Sequence, residues 1–325
     1  MSAYKALYTG LVVLLAGLFW VTTFESRTAG QSGERKPAQI ATTQAATDKA
    51  GSQNDSLVRL SAPASPAPEA ARKNSAAAGF ESAASMNARL RTELSWGFGG
   101  RTQRGWHLYA PLIARMIGSE DDASSSEFAM RLAGWQSSNG LGGQGILDHD
   151  TWTRMVSMMQ SRRIKERTPP PADRLVTAPP SDFYDPSRPG ELRQVERQAY
   201  DAYRRMVRAA ASDPSLGLLV TADGELAPGE KYLKIISAYR SREYQDNLRK
   251  QSPTSGRAGL AVNSPHFTGR ALDIYVGGEP VSTKDENRAI QVRTRAYRWL
   301  VTNAARFGFQ PYFYEPWHWE YVGTN

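Results

Sequence analysis

The chain reads Ser264-Pro-His-Phe-Thr-Gly-Arg-Ala-Leu-Asp273 in one stretch and Glu315-Pro-Trp-His318 in another. These stretches hold two of the four histidines of the chain, His266 and His318. Two imidazoles and one carboxylate can hold a zinc ion and leave its fourth position open for water. A second carboxylate, three residues before the last histidine, can take a proton from that water. The composition of the two stretches therefore predicts a hydrolytic metal site.

The spacing within these stretches predicts how the backbone presents the side chains. His266 and Asp273 are seven residues apart, and neither a helix nor a straight strand places both on one face at that spacing. Gly269 is expected to allow a turn between them, so that His266 approaches from a loop and Asp273 from a strand. A strand after the second stretch would place His318 and Glu320 on one face. For Glu320 a cross-strand ion pair is expected, rather than a contact that orients a metal ligand.

The region around these stretches alternates between short helices and short strands. Helices are expected at residues 191–211, 241–251 and 284–307, and strands at 232–238, 271–276, 309–314 and 317–322. This order predicts an α+β fold with a small, mostly antiparallel sheet and helices that together carry the zinc site.

The N-terminus carries an uncharged apolar run from Ala6 to Phe24. As a helix that rises about 1.5 Å per residue, this run nearly spans a hydrocarbon core of about 30 Å. Lys5 precedes the run, so residues 1–5 are expected in the cytoplasm and the rest of the chain on the periplasmic side of a bacterial inner membrane. A cleaved signal peptide, which would leave the protein secreted, is the rival interpretation.

Two segments have the composition of tether and linker. Residues 25–86 consist mainly of Ala, Ser, Thr, Gln, Gly and Pro, and cannot bury enough apolar surface to offset the entropy of ordering. Residues 164–190 contain runs of consecutive prolines, which favour an extended, semi-rigid linker. These segments predict a small all-helical domain at 87–163 that is separate from the site, and a second domain at 191–325.

The segment from Glu127 to Gln160 carries a series of short motifs. In order, they are Trp135-Gln136, Gly140-Leu141, Gly145-Ile146-Leu147-Asp148 and Thr151-Trp152. This series resembles the small helical peptidoglycan-binding repeat, and the resemblance implies affinity for cell-wall glycan. A helical spacer without ligand affinity is the alternative.

The C-terminal part, from about Glu191 onward, closely resembles the zinc D-alanyl-D-alanine carboxypeptidases of the VanY type. Residues 264–273 match the family pattern Ser-x-His-x-x-Gly-x-Ala-x-Asp, and residues 315–318 match the pattern Glu-x-Trp-His. Upstream, residues 239–241 and 245 match a Tyr-Arg-Ser that is followed by a glutamine. Arg270 and Glu320 depart from the residues common in the family, and these departures leave the peptide preference open.

The resemblance implies a role for each matching residue. It implies that the zinc ligands are His266, Asp273 and His318, and that the general base is Glu315. It further implies that Arg240 stabilises the developing oxyanion or holds the substrate, with Gln245 and Ser264 assisting.

The expected function is that of a membrane-anchored zinc metallopeptidase that removes the terminal D-alanine from peptidoglycan stem peptides. One alternative is an endopeptidase that cuts within stem peptides or cross-bridges. An alternative of another class is a non-catalytic wall-binding protein stabilised by zinc, but Glu315 argues against it because a structural site needs no base.

The net charge and the absence of cysteine limit the kinds of partner and of metal-binding side chain that the sequence supports. The net charge of +8 suits an anionic partner such as membrane phospholipid, cell-wall polymer or nucleic acid. The sequence shows no nucleic-acid motif, which favours the first two, and a role in solubility alone is the alternative. The absence of cysteine excludes disulfides and thiolate metal ligands.

Overall fold

A computed structural model describes residues 77–251 and 262–323, and all of these residues belong to one compact unit. The predicted anchor at 6–24 and most of the predicted tether at 25–86 lie outside the described residues. The tether was predicted too long, because residues 81–86 form the start of a helix that spans Glu81–Glu93. Within the described ranges, no helix has both the length and the apolar character that crossing a membrane requires.

The described residues form short helices and short strands in the order that follows. The helices are α1 (Glu81–Glu93), α2 (Ala110–Ile117), α3 (Ser126–Ser138), α4 (His149–Ser161), α5 (Arg197–Ala211), α6 (Arg242–Gln251), α7 (Asp285–Gln291) and α8 (Arg295–Asn303). The strands are β1 (Ser95–Phe98), β2 (Arg101–Arg104), β3 (Leu175–Thr177), β4 (Gln194–Glu196), β5 (Ile235–Ser237), β6 (Ala271–Ile274), β7 (Phe309–Pro311) and β8 (His318–Tyr321).

The central sheet has the strand order β5-β6-β8-β7, and every neighbouring pair in it is antiparallel. All residues of β6 and β8 are buried, including the polar residues of both strands. Two further antiparallel sheets of two strands each, β1-β2 and β3-β4, accompany this sheet. The predicted α+β class with a small antiparallel sheet is therefore confirmed, but the predicted all-helical character of residues 87–163 is wrong, because this segment contains the β1-β2 pair.

The helix predicted at residues 191–211 begins later, at Arg197. Residues 194–196 pair with β3 instead, and Glu196 keeps an extended backbone with φ −63° and ψ 134°. Its carboxylate accepts a hydrogen bond from the Ala199 amide at 3.0 Å, which caps the first turn of α5. The predicted helix is therefore present as α5, but its predicted start at residue 191 is wrong, because Glu196 caps the helix at this later point.

The single helix predicted at residues 284–307 is divided into α7 and α8. Thr294 between them is extended, with φ −68° and ψ 150°, and its hydroxyl accepts from the Tyr297 amide at 3.2 Å. The same hydroxyl donates to the Val276 carbonyl at 2.8 Å, so it joins the start of α8 to the end of β6. A threonine that can cap a helix and reach the sheet therefore interrupts an otherwise continuous helical pattern.

A buried glutamine holds the loop between α3 and α4 within residues 87–163, which we call the helical segment. The Gln136 side-chain amide donates to the Ile146 carbonyl and to the Thr151 hydroxyl, each at 2.8 Å. Its carbonyl oxygen accepts from the Gly145 amide at 2.8 Å. Asp148 caps α4 by accepting from the Thr151 amide at 2.9 Å. Several residues of the predicted wall-binding motif therefore have a structural role in this loop.

The helical segment packs directly against the C-terminal part. Trp152 of α4 lies within 5.1 Å of Trp96 and 6.2 Å of Phe313, measured between ring centroids. Arg288 of α7 donates to the Tyr109 hydroxyl at 3.0 Å in a buried contact. The expectation that the helical segment is separate from the rest is wrong in this respect, because aromatic residues of both parts share one core. The boundaries of the predicted domains stay a prediction.

Candidate metal centre

Asp273 and His318 lie directly opposite each other in the register of β6 and β8. Opposed residues of an antiparallel pair project to the same face with Cβ atoms about 5 Å apart. Both side chains are buried, at 2% and 3% exposure. The pairing of two strands far apart in sequence thus brings together a carboxylate and an imidazole from the two predicted stretches.

His266 reaches the same place from a short 3-10 turn that spans Pro265–Thr268. The Ser264 hydroxyl caps this turn by accepting from the His266 amide at 3.3 Å. Gly269 ends the turn with φ +66°, and a Cβ there would lie 2.9 Å from the Glu196 amide nitrogen. The predicted turn at Gly269, with His266 on a loop and Asp273 on a strand, is therefore present, and it requires glycine.

Three ligand atoms converge at the centre. Asp273 Oδ1 is 3.3 Å from His266 Nε2 and 2.9 Å from His318 Nδ1. One ligand atom from each of these three residues lies within 4.8 Å of the others. Atoms that bind one tetrahedral zinc ion at about 2.0–2.1 Å stand about 3.3 Å apart. The donor set and its spacing therefore fit a zinc ion.

The outer nitrogen of each histidine has its own acceptor. His266 Nδ1 is 2.7 Å from the Ala238 carbonyl oxygen, and His318 Nε2 is 3.1 Å from Glu320 Oε1. Acceptors of this kind hold a proton on the outer nitrogen and leave the inner nitrogen with a lone pair for a metal. The two rings stand nearly perpendicular, at 78°.

Glu320 contacts a predicted metal ligand, contrary to the expectation from the sequence. Its side chain is fully buried and accepts from Arg163 Nε at 2.9 Å and from the Ile164 amide at 2.7 Å, in addition to the His318 contact. Glu320 forms an ion pair, as expected, but its partner Arg163 lies at the end of the helical segment and not on a neighbouring strand. Sequence reasoning missed Arg163 because no spacing rule connects positions 157 residues apart.

Arg240 is directed at the outer oxygen of Asp273. Its Nη2 lies 2.5 Å from Asp273 Oδ2, and its Nε donates to the Ser237 hydroxyl at 2.9 Å. Gln245, almost fully buried on α6, accepts from Arg240 Nη1 at 3.4 Å. The structure thus gathers Arg240 and Gln245 around Asp273, while the Ser264 hydroxyl contacts the backbone of the His266 turn.

The charges of the three converging residues are coupled. Burial, with the Arg240 cation acting in the same direction, lowers the pKa of His266 to about 4, so this imidazole is neutral at pH 7. Burial alone would raise the pKa of Asp273, but His266 and Arg240 hold it well below its usual range. Burial opposes charge on His318 as well, yet its contacts with Asp273 and Glu320 raise its pKa to about 9.

Two further carboxylates near the centre have opposite protonation behaviour. Burial raises the pKa of Glu315 to about 8, and Glu315 Oε2 lies 4.0 Å from His318 Nδ1. Burial would also raise the pKa of Glu320, but the hydrogen bond with His318 and the Arg163 cation lower it to about 2. Glu320 is therefore an ionised acceptor at neutral pH, whereas Glu315 is poised to exchange a proton.

A buried centre of two imidazoles and one carboxylate beside a further buried carboxylate with a raised pKa is an arrangement found in metal-dependent hydrolases. Residues 192–324 match the family model VanY, described as D-alanyl-D-alanine carboxypeptidase, and this segment contains every residue of the centre except Arg163 and Ile164. The C-terminal part of the chain is therefore a domain of that carboxypeptidase family. No curated protein matches the chain.

Proposed function

We propose that the chain is a zinc-dependent peptidase that removes the terminal D-alanine from peptidoglycan stem peptides. The observation that carries the proposal is the convergence of His266 Nε2, Asp273 Oδ1 and His318 Nδ1 next to the buried carboxylate of Glu315. All four residues fall in the segment that matches the carboxypeptidase family. A site that only stabilised the fold would need no buried carboxylate with a raised pKa beside its ligands.

In this proposal His266, Asp273 and His318 hold the zinc ion. When bound, zinc supplies a Lewis acid that polarises a water molecule and the scissile carbonyl. Glu315 takes the proton from the water and later donates it to the amine of the departing D-alanine. The positive charge of a bound dication also favours the ionised form of Glu315, which the reaction needs at its start.

Arg240 is proposed to act on both the metal site and the substrate. Its contact with Asp273 Oδ2 turns the other oxygen, Oδ1, toward the two histidines. A guanidinium has more N–H donors than its contacts with Ser237, Gln245 and Asp273 use. We propose that the remaining donors bind the oxyanion or the terminal carboxylate, with Gln245 supporting Arg240 and Ser264 supporting the His266 turn.

Mass spectrometry of a defined stem pentapeptide that ends in D-alanyl-D-alanine tests this function. The purified full-length chain with zinc is expected to yield free D-alanine and a peptide lighter by one alanine. A chelator should stop the reaction, and added zinc should restore it. Cleavage at an internal bond would identify an endopeptidase, and the absence of any zinc-dependent cleavage of this peptide or of purified sacculi would refute the hydrolytic function.

We also propose that residues 6–24 anchor the chain in the inner membrane, with the peptidase domain on the periplasmic side. The support is the uncharged apolar run and the tether composition behind it. We further propose that the helical segment binds cell-wall glycan, on the strength of its motif resemblance. Both proposals place the enzyme beside its polymeric substrate, where tethering raises the local concentration.

A further inference from the structure

Glu320 Oε1 joins a metal ligand to a residue of the helical segment. It lies 3.1 Å from His318 Nε2 and 2.9 Å from Arg163 Nε, and Arg163 Nη2 lies 2.5 Å away. The second oxygen of Glu320 accepts from the Ile164 amide at 2.7 Å. A carboxylate offers only acceptors, so His318 must donate its Nε2 proton to Glu320. In the neutral ring that binds a metal, this donation places the lone pair on Nδ1, the nitrogen that faces Asp273.

Arg163 is itself held in a fixed position. Its guanidinium lies 3.8 Å from the centroid of the Tyr312 ring, and its Nη1 contacts Gln160 Oε1 at 3.2 Å. The Tyr312 ring in turn lies 5.7 Å from the His318 ring in an edge-on contact. A planar guanidinium that stacks on a ring and donates to a carboxylate has little rotational freedom. The Arg163 side chain is only 13% exposed, so water screens its charge weakly.

Arg163 lies two residues after the end of α4, and α4 packs against the segment that leads into the site. Trp152 of α4 packs against Phe313, which lies two residues before Glu315. The position of Arg163 relative to Glu320 is therefore set by the core that the two parts of the chain share.

We propose that Arg163 is a positioning residue for the metal centre: it fixes Glu320, and Glu320 fixes the ring orientation and tautomer of His318. This inference rests on the proposed zinc site and extends it to a residue outside the family segment. It makes the helical segment a structural part of the metal centre, in addition to any role in wall binding. Partners that orient ligands in this way typically contribute about 10–100-fold to metal affinity.

Zinc affinity of the full-length chain, measured by competition with a chromophoric chelator, tests the proposal. Arg163→Ala is expected to weaken zinc binding by about 10–100-fold. It is also expected to change the visible absorption spectrum of the cobalt-substituted protein, because the His318 ring is free to turn. Arg162→Ala is the matched control, since Arg162 is exposed at the end of the same helix and should change neither measurement. Wild-type affinity and an unchanged spectrum in Arg163→Ala would overturn the proposal.

A double-mutant cycle tests whether Arg163 acts through Glu320. Glu320→Gln keeps the shape of the side chain and removes its charge. If Arg163 acts through Glu320, Arg163→Ala should lower zinc affinity much less in the Glu320→Gln background than in the wild type. If the losses of zinc affinity in the two single variants simply add in the double variant, Arg163 does not act through Glu320. If Arg163→Ala does not fold, Arg163→Gln replaces it in the cycle, and wild-type zinc affinity in that variant would equally refute the proposal.

Different results would refute the proposed function and the proposed role of Arg163. A wild-type chain that binds no zinc would refute the proposed function. A wild-type chain that binds zinc tightly, with Arg163 variants that match it in affinity and spectrum, would refute only the role of Arg163.

Discussion

The two site histidines turn different ring nitrogens toward Asp273, Nε2 from His266 and Nδ1 from His318. The difference follows from the outer acceptors, which are the Ala238 carbonyl for one ring and Glu320 for the other. Each ring is therefore oriented by a neighbour that is not a metal ligand itself. The orientation of both rings at the centre therefore depends on these neighbours.

Replacement of His318 by alanine is expected to lower the metal content to well below one zinc per chain and to abolish hydrolysis. The substitution removes a ligand, and the loss should exceed the 10–100-fold in affinity that is typical for a residue that only orients a ligand. Metal analysis of the purified variant provides the measurement. His149→Ala is the matched control because His149 is exposed on α4, and it should retain zinc. Full zinc occupancy in His318→Ala would refute the ligand assignment.

The sequence predicted the converging residues of the centre better than their surroundings. His266, Asp273 and His318 lie together as expected, and Glu315 lies beside His318. The contacts of Arg163 with Glu320 and of Ser237 with Arg240 were not predicted, because they depend on tertiary packing and follow no local spacing. The roles assigned to Arg240, Gln245 and Ser264 stay predictions that depend on substrate binding.

At the scale of elements, the turn between His266 and Asp273 depends on one glycine. Gly269 has φ +66°, and its carbonyl accepts from the Glu196 amide at 3.0 Å, so the turn is tied to the strand that precedes α5. A side chain at this position would meet the Glu196 backbone and the Leu175 side chain. The turn therefore links the candidate metal centre to the small β3-β4 sheet.

Gly269→Ala is expected to destabilise the protein by about 2 kcal/mol or more, because a left-handed backbone costs alanine about 1–2 kcal/mol and the close approach to Glu196 adds to it. Chemical unfolding of the purified variant gives the free energy. Gly134→Ala is the matched control, since Gly134 is helical and nothing lies within 4 Å of a Cβ there. The control should stabilise α3 by about 0.5–1 kcal/mol. Equal stabilities of Gly269→Ala and the wild type would show that the turn tolerates a side chain.

The order of helices and strands was predictable, but several boundaries were not. Apolar periodicity located α5 and α8, because each helix buries one face, and short apolar runs located the buried strands of the central sheet. Glu196 and Thr294 act as caps inside patterns that otherwise continue, so they shortened one predicted helix and divided another. The backbones of Glu196 and Thr294 are extended in the folded protein, so each side chain caps the helix that follows and does not continue the helical pattern before it.

At the scale of the whole molecule, the proline-rich stretch 164–190 predicted that the helical segment is separate from the C-terminal part. The structure shows instead that these two parts pack against each other. Aromatic residues from β1 and α4 meet Phe313, and Arg163 reaches Glu320. Prolines fix the path of the chain, but they do not prevent the segments on either side from sharing a core.

Full-length protein is expected in the membrane fraction of the cell, with the peptidase domain accessible to protease only from the periplasmic side. The physical reason is the uncharged apolar run at residues 6–24, which is long enough for a membrane anchor. Fractionation followed by N-terminal sequencing provides the measurement. A mature N-terminus near residues 25–31 would show that the run is a cleaved signal instead.

The most direct test of the proposed peptidase chemistry compares zinc content and turnover in Glu315→Gln. This substitution keeps the shape of the side chain and removes its basicity, while His266, Asp273 and His318 remain. We expect wild-type zinc content and peptide binding, with release of D-alanine slower by about two to four orders of magnitude. Near-normal release of D-alanine by the zinc-loaded variant would contradict Glu315 as the base, and with it the proposed mechanism.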